Sequence, residues 1–186
     1  MTNALEPKLN LEQFRSISHA ISTYDDPKLL LAHITEGIAR TFNIKGCCTL
    51  VLDEKENQLF MVSSYGISQE YLEKGPIFIN EQDSALAKGE PVFIQDMQDD
   101  PRVQYPKQAA RENIASMLSI PIKFRHTVTG VVRMYHNEVI AVSEQDLESL
   151  SVLFEHLGIV IENNGLKNVI DQFKVAMNNL PLRLLD

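Results

Sequence analysis

Two adjacent cysteines, Cys47 and Cys48, are the only thiols in the sequence. A thiol acts as nucleophile, redox centre or metal ligand through its thiolate. Sequence neighbours could close only a strained disulfide ring, and on a strand their side chains point to opposite faces. The pair therefore reads as one buried small hydrophobe beside one partly exposed thiol. His19, His33, His126, His136 and His156 never stand two or four apart, so no helix or strand presents a chelating pair. Haem would need only one axial imidazole, and nothing singles one out. No Ser/His/Asp or Cys/His order stands out, and the eight glycines are scattered singly rather than gathered into a phosphate loop. No catalytic residue and no metal site is assigned, and any cofactor stays unknown. One charged cluster could do chemistry of recognition. Arg102, Lys107 and Arg111, with Tyr105 among them, could receive a carboxylate or a phosphate. Asp99, Asp100 and Glu112 interleave with these cations, so a solvated, self-neutralised surface is the competing reading.

The elements that must position these groups follow from periodicity. Leu11, Phe14, Ile17 and Ile21 form one helical stripe, and Leu30, Ile34, Ile38 and Phe42 form a second behind Asp26-Pro27. Residues 47–52 and 58–65 read as a hairpin, 77–79 and 91–94 as short strands, and 83–89 as a brief helix closed by Gly89. A loop from Asp96 leads past Pro106 into a short helix, and 115–124 with 128–136 form the clearest hairpin. Ser143 caps a long helix whose Leu147, Leu150, Phe154, Leu157 and Ile161 follow a coiled-coil seam. The apolar face shifts in phase after Asn163-Asn164-Gly165, which predicts a kink or break there. The order of elements argues an α+β domain.

With 44% hydrophobic residues in 186, the chain can close a real core. Seventeen basic against twenty-five acidic residues give a net charge of −8, which lacks the field that nucleic-acid binding depends on. No apolar run approaches bilayer length and no targeting segment is visible, so a cytoplasmic protein without nucleic-acid or membrane partners is expected.

Five weak motifs then occur in one order: Ala87–Asp96, Asp99-Asp100-Pro101-Arg102, Ile114–Ile122, Gly130–Tyr135 and Ser143–Leu150. Together they resemble a GAF domain over residues 10–164, with 1–9 a tail and 165–186 a helical extension. The resemblance implies a six-stranded antiparallel sheet, N- and C-terminal helices packed on one face, and a small-molecule pocket on the other. It places Phe78, Ser84, Asp96, Arg102, Tyr105, Arg111, Ser116 and Leu118 at or near that pocket. It also implies a sensory or regulatory module that dimerises through its terminal helices, which makes Phe14, Ile17, Leu150, Phe154, Leu157 and Ile161 candidate dimer contacts. Of the family's cyclic-nucleotide signature only Asp146 matches, and neither cysteine lies in a bilin-attachment motif. The family's methionine sulfoxide reductases need cysteines on separate segments, a spacing absent here. A homodimer or a signalling partner, with an unidentified small ligand, is the leading expectation. A ligand-free dimerisation or scaffold module, its pocket filled by Phe78, Tyr105 and Met117, is the alternative, and a redox enzyme comes third.

Overall fold

The computed structural model describes residues 6–24, 26–79 and 83–178, with side chains as far as residue 165. Helix α1 (Leu11–Thr23) is capped by Asn10, whose side chain accepts from Gln13 N while Asn10 N donates to Gln13 Oε1. This reciprocal cap satisfies two amides that a helix end otherwise leaves open. Helix α2 (Pro27–Phe42) is capped by Asp26 and stopped by Asn43, which takes the left-handed conformation at φ 49°.

The sheet has the order β3-β2-β1-β6-β5-β4. Its strands are β1 (Gly46–Asp53), β2 (Gln58–Tyr65), β3 (Ile77–Phe78), β4 (Val92–Ile94), β5 (Ser116–Phe124) and β6 (Thr127–His136), all paired antiparallel. Short helices α3 (Gln69–Leu72), α4 (Ala85–Lys88) and α5 (Pro106–Arg111) fill the connections, and α6 (Glu144–Asn178) follows the last strand. The periodicities above locate every element but α3, a single turn capped by Ser68 that is too short to show a helical stripe.

Period-two alternation splits the strands between two apolar layers. Leu118, Ile120 and Ile122 of β5 and Val132 and Met134 of β6 pack with α1, α2 and α6. Met117, Val131 and Tyr135 join Cys48, Leu50, Ile94 and Met97 on the opposite face. The helices thus cover one face of the sheet and short elements cover the other.

Three expectations change. Leu150, Phe154 and Leu157 are buried inside this one chain, against β5 and the other helices, so they cannot be a seam between folded subunits. The face that pairs two helices in a coiled coil is here spent on the chain's own sheet. Phe14, Ile17 and Ile161 border the same cluster as partly buried residues. Second, α6 runs through Asn163-Asn164-Gly165 without a break. A helical glycine costs only about 1 kcal/mol, and Asn164 Nδ2 donates back to Val160 O at 2.9 Å. Third, both cysteines are buried, because α3 with Tyr71 covers the face of β1 that carries Cys48.

One carboxylate ties the termini of the fold together. Asp146, 1% exposed in the first turn of α6, accepts from Leu9 N at 2.8 Å, Lys8 N at 3.0 Å and Ser143 Oγ at 2.8 Å. It therefore anchors the segment before α1 as well as suiting the helix dipole. Asp146→Ala strands these donors and should cost about 3 kcal/mol. Urea unfolding should show the loss; an unchanged midpoint would mean the contacts are replaced by water.

Candidate functional site

On the sheet face away from the long helices lies a cavity of about 60 Å³. Its floor is laid by Leu59 of β2, Val92 and Ile94 of β4, Met117 and Ser119 of β5, and Val131 and Arg133 of β6. Its roof comes from Tyr71 and Lys74, the 77–79 and 83–86 stretches, and Met97 with 102–105. Pocket-facing residues on neighbouring strands fall in register, so Arg133 lies opposite Ser119 on one side and Cys48 on the other.

Side-chain contacts to backbone hold the roof. Tyr105 Oη donates to Pro76 O at 2.7 Å, and Gln104 clasps Phe78, donating to its carbonyl at 2.6 Å and accepting from its amide at 3.2 Å. Gly75 makes the first contact possible. At φ 129° it adopts a backbone conformation that side chains resist, and a Cβ there would lie 2.6 Å from Tyr105 Oη. Arg102 grips Asp100 through two nitrogens, at 2.9 and 2.6 Å, and donates to Phe93 O at 3.2 Å, which ties the roof to β4. The guanidinium holds the Asp100 carboxyl below its ordinary pKa.

Two further cations reach the cavity. Lys74 Nζ donates to Tyr71 O at 3.0 Å and lies 3.8 Å from the centre of the Tyr71 ring. Burial, and then the like charge of Arg133, lower its pKa to about 8. Arg133 Nε is buried with no hydrogen-bond partner among the described residues. Lys74 also lines an adjoining recess with Cys48, Leu50, Leu72 and Tyr135, and so forms part of the wall between the two. Burial pushes the Cys48 thiol up to about 12 and Cys47 well above its ordinary value, which leaves little thiolate near neutrality. Among the described residues no group of three His, Cys, Asp or Glu could hold a metal ion, and no helix is long and apolar enough to cross a membrane.

A helix-backed six-stranded antiparallel sheet with a roofed cavity on its other face is what the motif order implied. A family model for the GAF domain matches residues 25–162. The chain belongs to the GAF domain family. GAF domains are known for sensory and regulatory roles in signalling.

Solved GAF structures share the fold. The GAF domain of an Acinetobacter phosphoenolpyruvate-protein phosphotransferase is 21% identical, covers 88% of this chain and 95% of its own, and superimposes with a TM-score of 0.70. The corresponding domain from Coxiella burnetii is 15% identical over 86% of this chain and 96% of its own, with a TM-score of 0.74. Free methionine-R-sulfoxide reductase from Neisseria meningitidis, in complex with its substrate, is 18% identical over 80% of this chain and 86% of its own, with a TM-score of 0.66. At these identities the likeness establishes the fold alone. No curated protein matches the chain by sequence.

Within this GAF domain, Phe78, Ser84, Arg102 and Tyr105 line the cavity. Asp96 instead points to solvent and closes a turn, accepting from Gln98 N and Asp99 N. Arg111 and Lys107 are exposed on α5, outside the lining. Ser116 and Leu118 lie one residue out of phase with the cavity floor. Leu118 belongs to the helix-facing core. Ser116 is buried and staples the chain after β6, donating to Glu138 O and accepting from Ile140 N at 2.8 Å. The residues that do face the cavity from β5 are Met117 and Ser119. Sequence reasoning also passed over Lys74 and Arg133. Arg133 carried a signal, as a lone charge inside the apolar run Val131–Tyr135.

Proposed function

We propose that this chain is a small-molecule-binding sensory or regulatory GAF module of signal transduction, acting through a homodimer or a partner protein. The observation that carries this reading is the cavity itself, apolar on most sides and closed by polar contacts that a ligand could exchange for its own. Its floor is also well placed for output. Met117 and Ser119 face the cavity, while Leu118 and Ile120 between and beside them pack in the same cluster as Leu150 and Leu157 of α6. A ligand that shifts β5 is thereby felt by α6, which continues to Asn178.

We read the module as non-catalytic and cytoplasmic. Two buried, hard-to-ionise thiols on opposite faces of β1 favour this over the chemistry of the sulfoxide reductase that shares the fold. A dimer would use surface that folding leaves exposed, where Leu11, Val152 and Ile159 stand out. The small volume, with Phe78, Tyr105 and Met117 all in the walls, favours a second reading, a ligand-free scaffold.

A thermal-shift screen of metabolites against the full chain and against Met117→Trp separates the two. A ligand at a hundred times its Kd should stabilise the unaltered chain by about 2.7 kcal/mol. The indole should fill the cavity and abolish that gain. If no compound shifts the unaltered chain and Met117→Trp alone is stabilising, the scaffold reading stands instead.

A further inference from the structure

We propose that the cavity recognises the carboxylate of a short-chain organic acid, with Arg133 and Lys74 as donors and the apolar walls around its tail. This rests on the ligand-pocket reading and names the chemistry of the ligand.

Arg133 stands where alternation calls for an apolar residue, between Val131 and Tyr135 on the cavity face of β6. Its Nε is out of water without a hydrogen bond, a state that costs free energy until an acceptor arrives. Lys74 lines the same cavity and directs one bond to Tyr71 O, and an ammonium has three protons to give. The nearby carboxylates are engaged elsewhere. Asp83 pairs with Lys88 at 2.8 Å, Asp100 with Arg102 at 2.6 Å, and Glu112 with Lys45 at 3.4 Å. Among the described residues no ion pair joins a carboxylate to Arg133 or Lys74. Two like charges thus face one small space, and an anion between them relieves both their repulsion and the open donor.

The walls decide which anion. Leu59, Ile77, Val92, Ile94 and Met97 offer no donors, so bare phosphate would set some of its oxygens against apolar wall, because the polar lining, Ser84 and Ser119 beside the two cations, covers only part of the cavity. A carboxylate needs fewer partners and can bring an alkyl tail to those walls. A volume of about 60 Å³ suits a molecule of a few heavy atoms.

Calorimetry on the full chain with butyrate, butyramide and inorganic phosphate as probes tests this. Butyrate should bind at least about tenfold more tightly than butyramide. Arg133→Gln and Lys74→Gln should each weaken butyrate about tenfold or more and butyramide clearly less, and Arg133→Lys should restore part of the loss. Melting curves confirm that each variant is folded, and either single variant suffices. Lys74 is faced by Arg133 of β6, Cys48 of β1, Glu112 beyond α5 and the Tyr71 ring of its own segment. Its ammonium is charged below about pH 8 and neutral above. Butyrate affinity should accordingly decline above that pH, and Lys74→Gln should remove the decline. Equal binding of butyrate and butyramide, phosphate binding in preference to butyrate, or butyrate affinity indifferent to both variants would overturn the anion assignment and leave the ligand pocket standing. If neither butyrate nor butyramide binds, the assignment falls, and the metabolite screen alone then decides the pocket.

Discussion

Leu150→Asp should leave the chain unfolded or insoluble rather than release folded monomers from a dimer. Leu150 is 0% exposed, packed among Leu118, Ile120, Phe154 and Leu157 within one chain. A carboxylate there has no partner, and an uncompensated buried charge typically costs about 3–5 kcal/mol. Loss of the leucine's own packing adds about 2–5 kcal/mol. The sum is comparable to the whole stability of an ordinary domain, about 5–15 kcal/mol. Circular dichroism and sedimentation of the purified variant decide the matter; a native spectrum with a monomer's mass would restore the coiled-coil seam. The informative substitutions for a dimer are Val152→Asp and Ile159→Asp, at 42% and 46% exposure on the same helix. They should preserve the fold, and they should halve the mass if two copies meet on that face.

Gly158→Ala should be the most costly single-atom addition in α6. A Cβ at Gly158 would stand 2.0 Å from Lys123 O and 2.6 Å from Lys123 C, both backbone atoms at the end of β5. Backbone cannot swing aside as a side chain can, so helix and strand must separate. Alanine would otherwise favour a helix by about 1 kcal/mol over glycine. Here that preference is reversed, with an expected loss of about 3 kcal/mol. Gly165, on the same helix, has nothing within 4 Å of the added carbon. Gly165→Ala should therefore stabilise by about 1 kcal/mol. Denaturant midpoints of opposite sign for the two substitutions would confirm that close approach, and not helical propensity, fixes Gly158. Equal shifts would refute it.

The sequence by itself determined the kinds of element, their order and the family. Stripes such as Leu30-Ile34-Ile38-Phe42 and caps such as Asn10 and Asp26 are written within a few residues of chain, and both stripes form helices, α1 and α2. The alternation of β5 and β6 is equally local, and so is the turn between β1 and β2, where Asp53 accepts from Lys55 N and Glu56 N.

Tertiary structure alone decided what each apolar face meets and which cation keeps a bond to give. A seam every three or four residues looks the same whether it packs on a partner helix or on its own sheet, so Leu150 and Leu157 could not be told apart from dimer contacts by spacing. Ser116 and Ser119 lie three residues apart on one strand and so face opposite sides of the sheet, and only the assembled fold decides that Ser119 meets the cavity while Ser116 meets the chain after β6. Arg102 stood out in sequence through its company of cations, yet it is held by Asp100 and Phe93 O. Arg133 showed in sequence only as a lone charge in an apolar run, and its significance comes from segments far apart in the chain that remove water from its Nε without giving that atom a hydrogen bond. Desolvation is a property of the assembled fold, and no local pattern of residues records it.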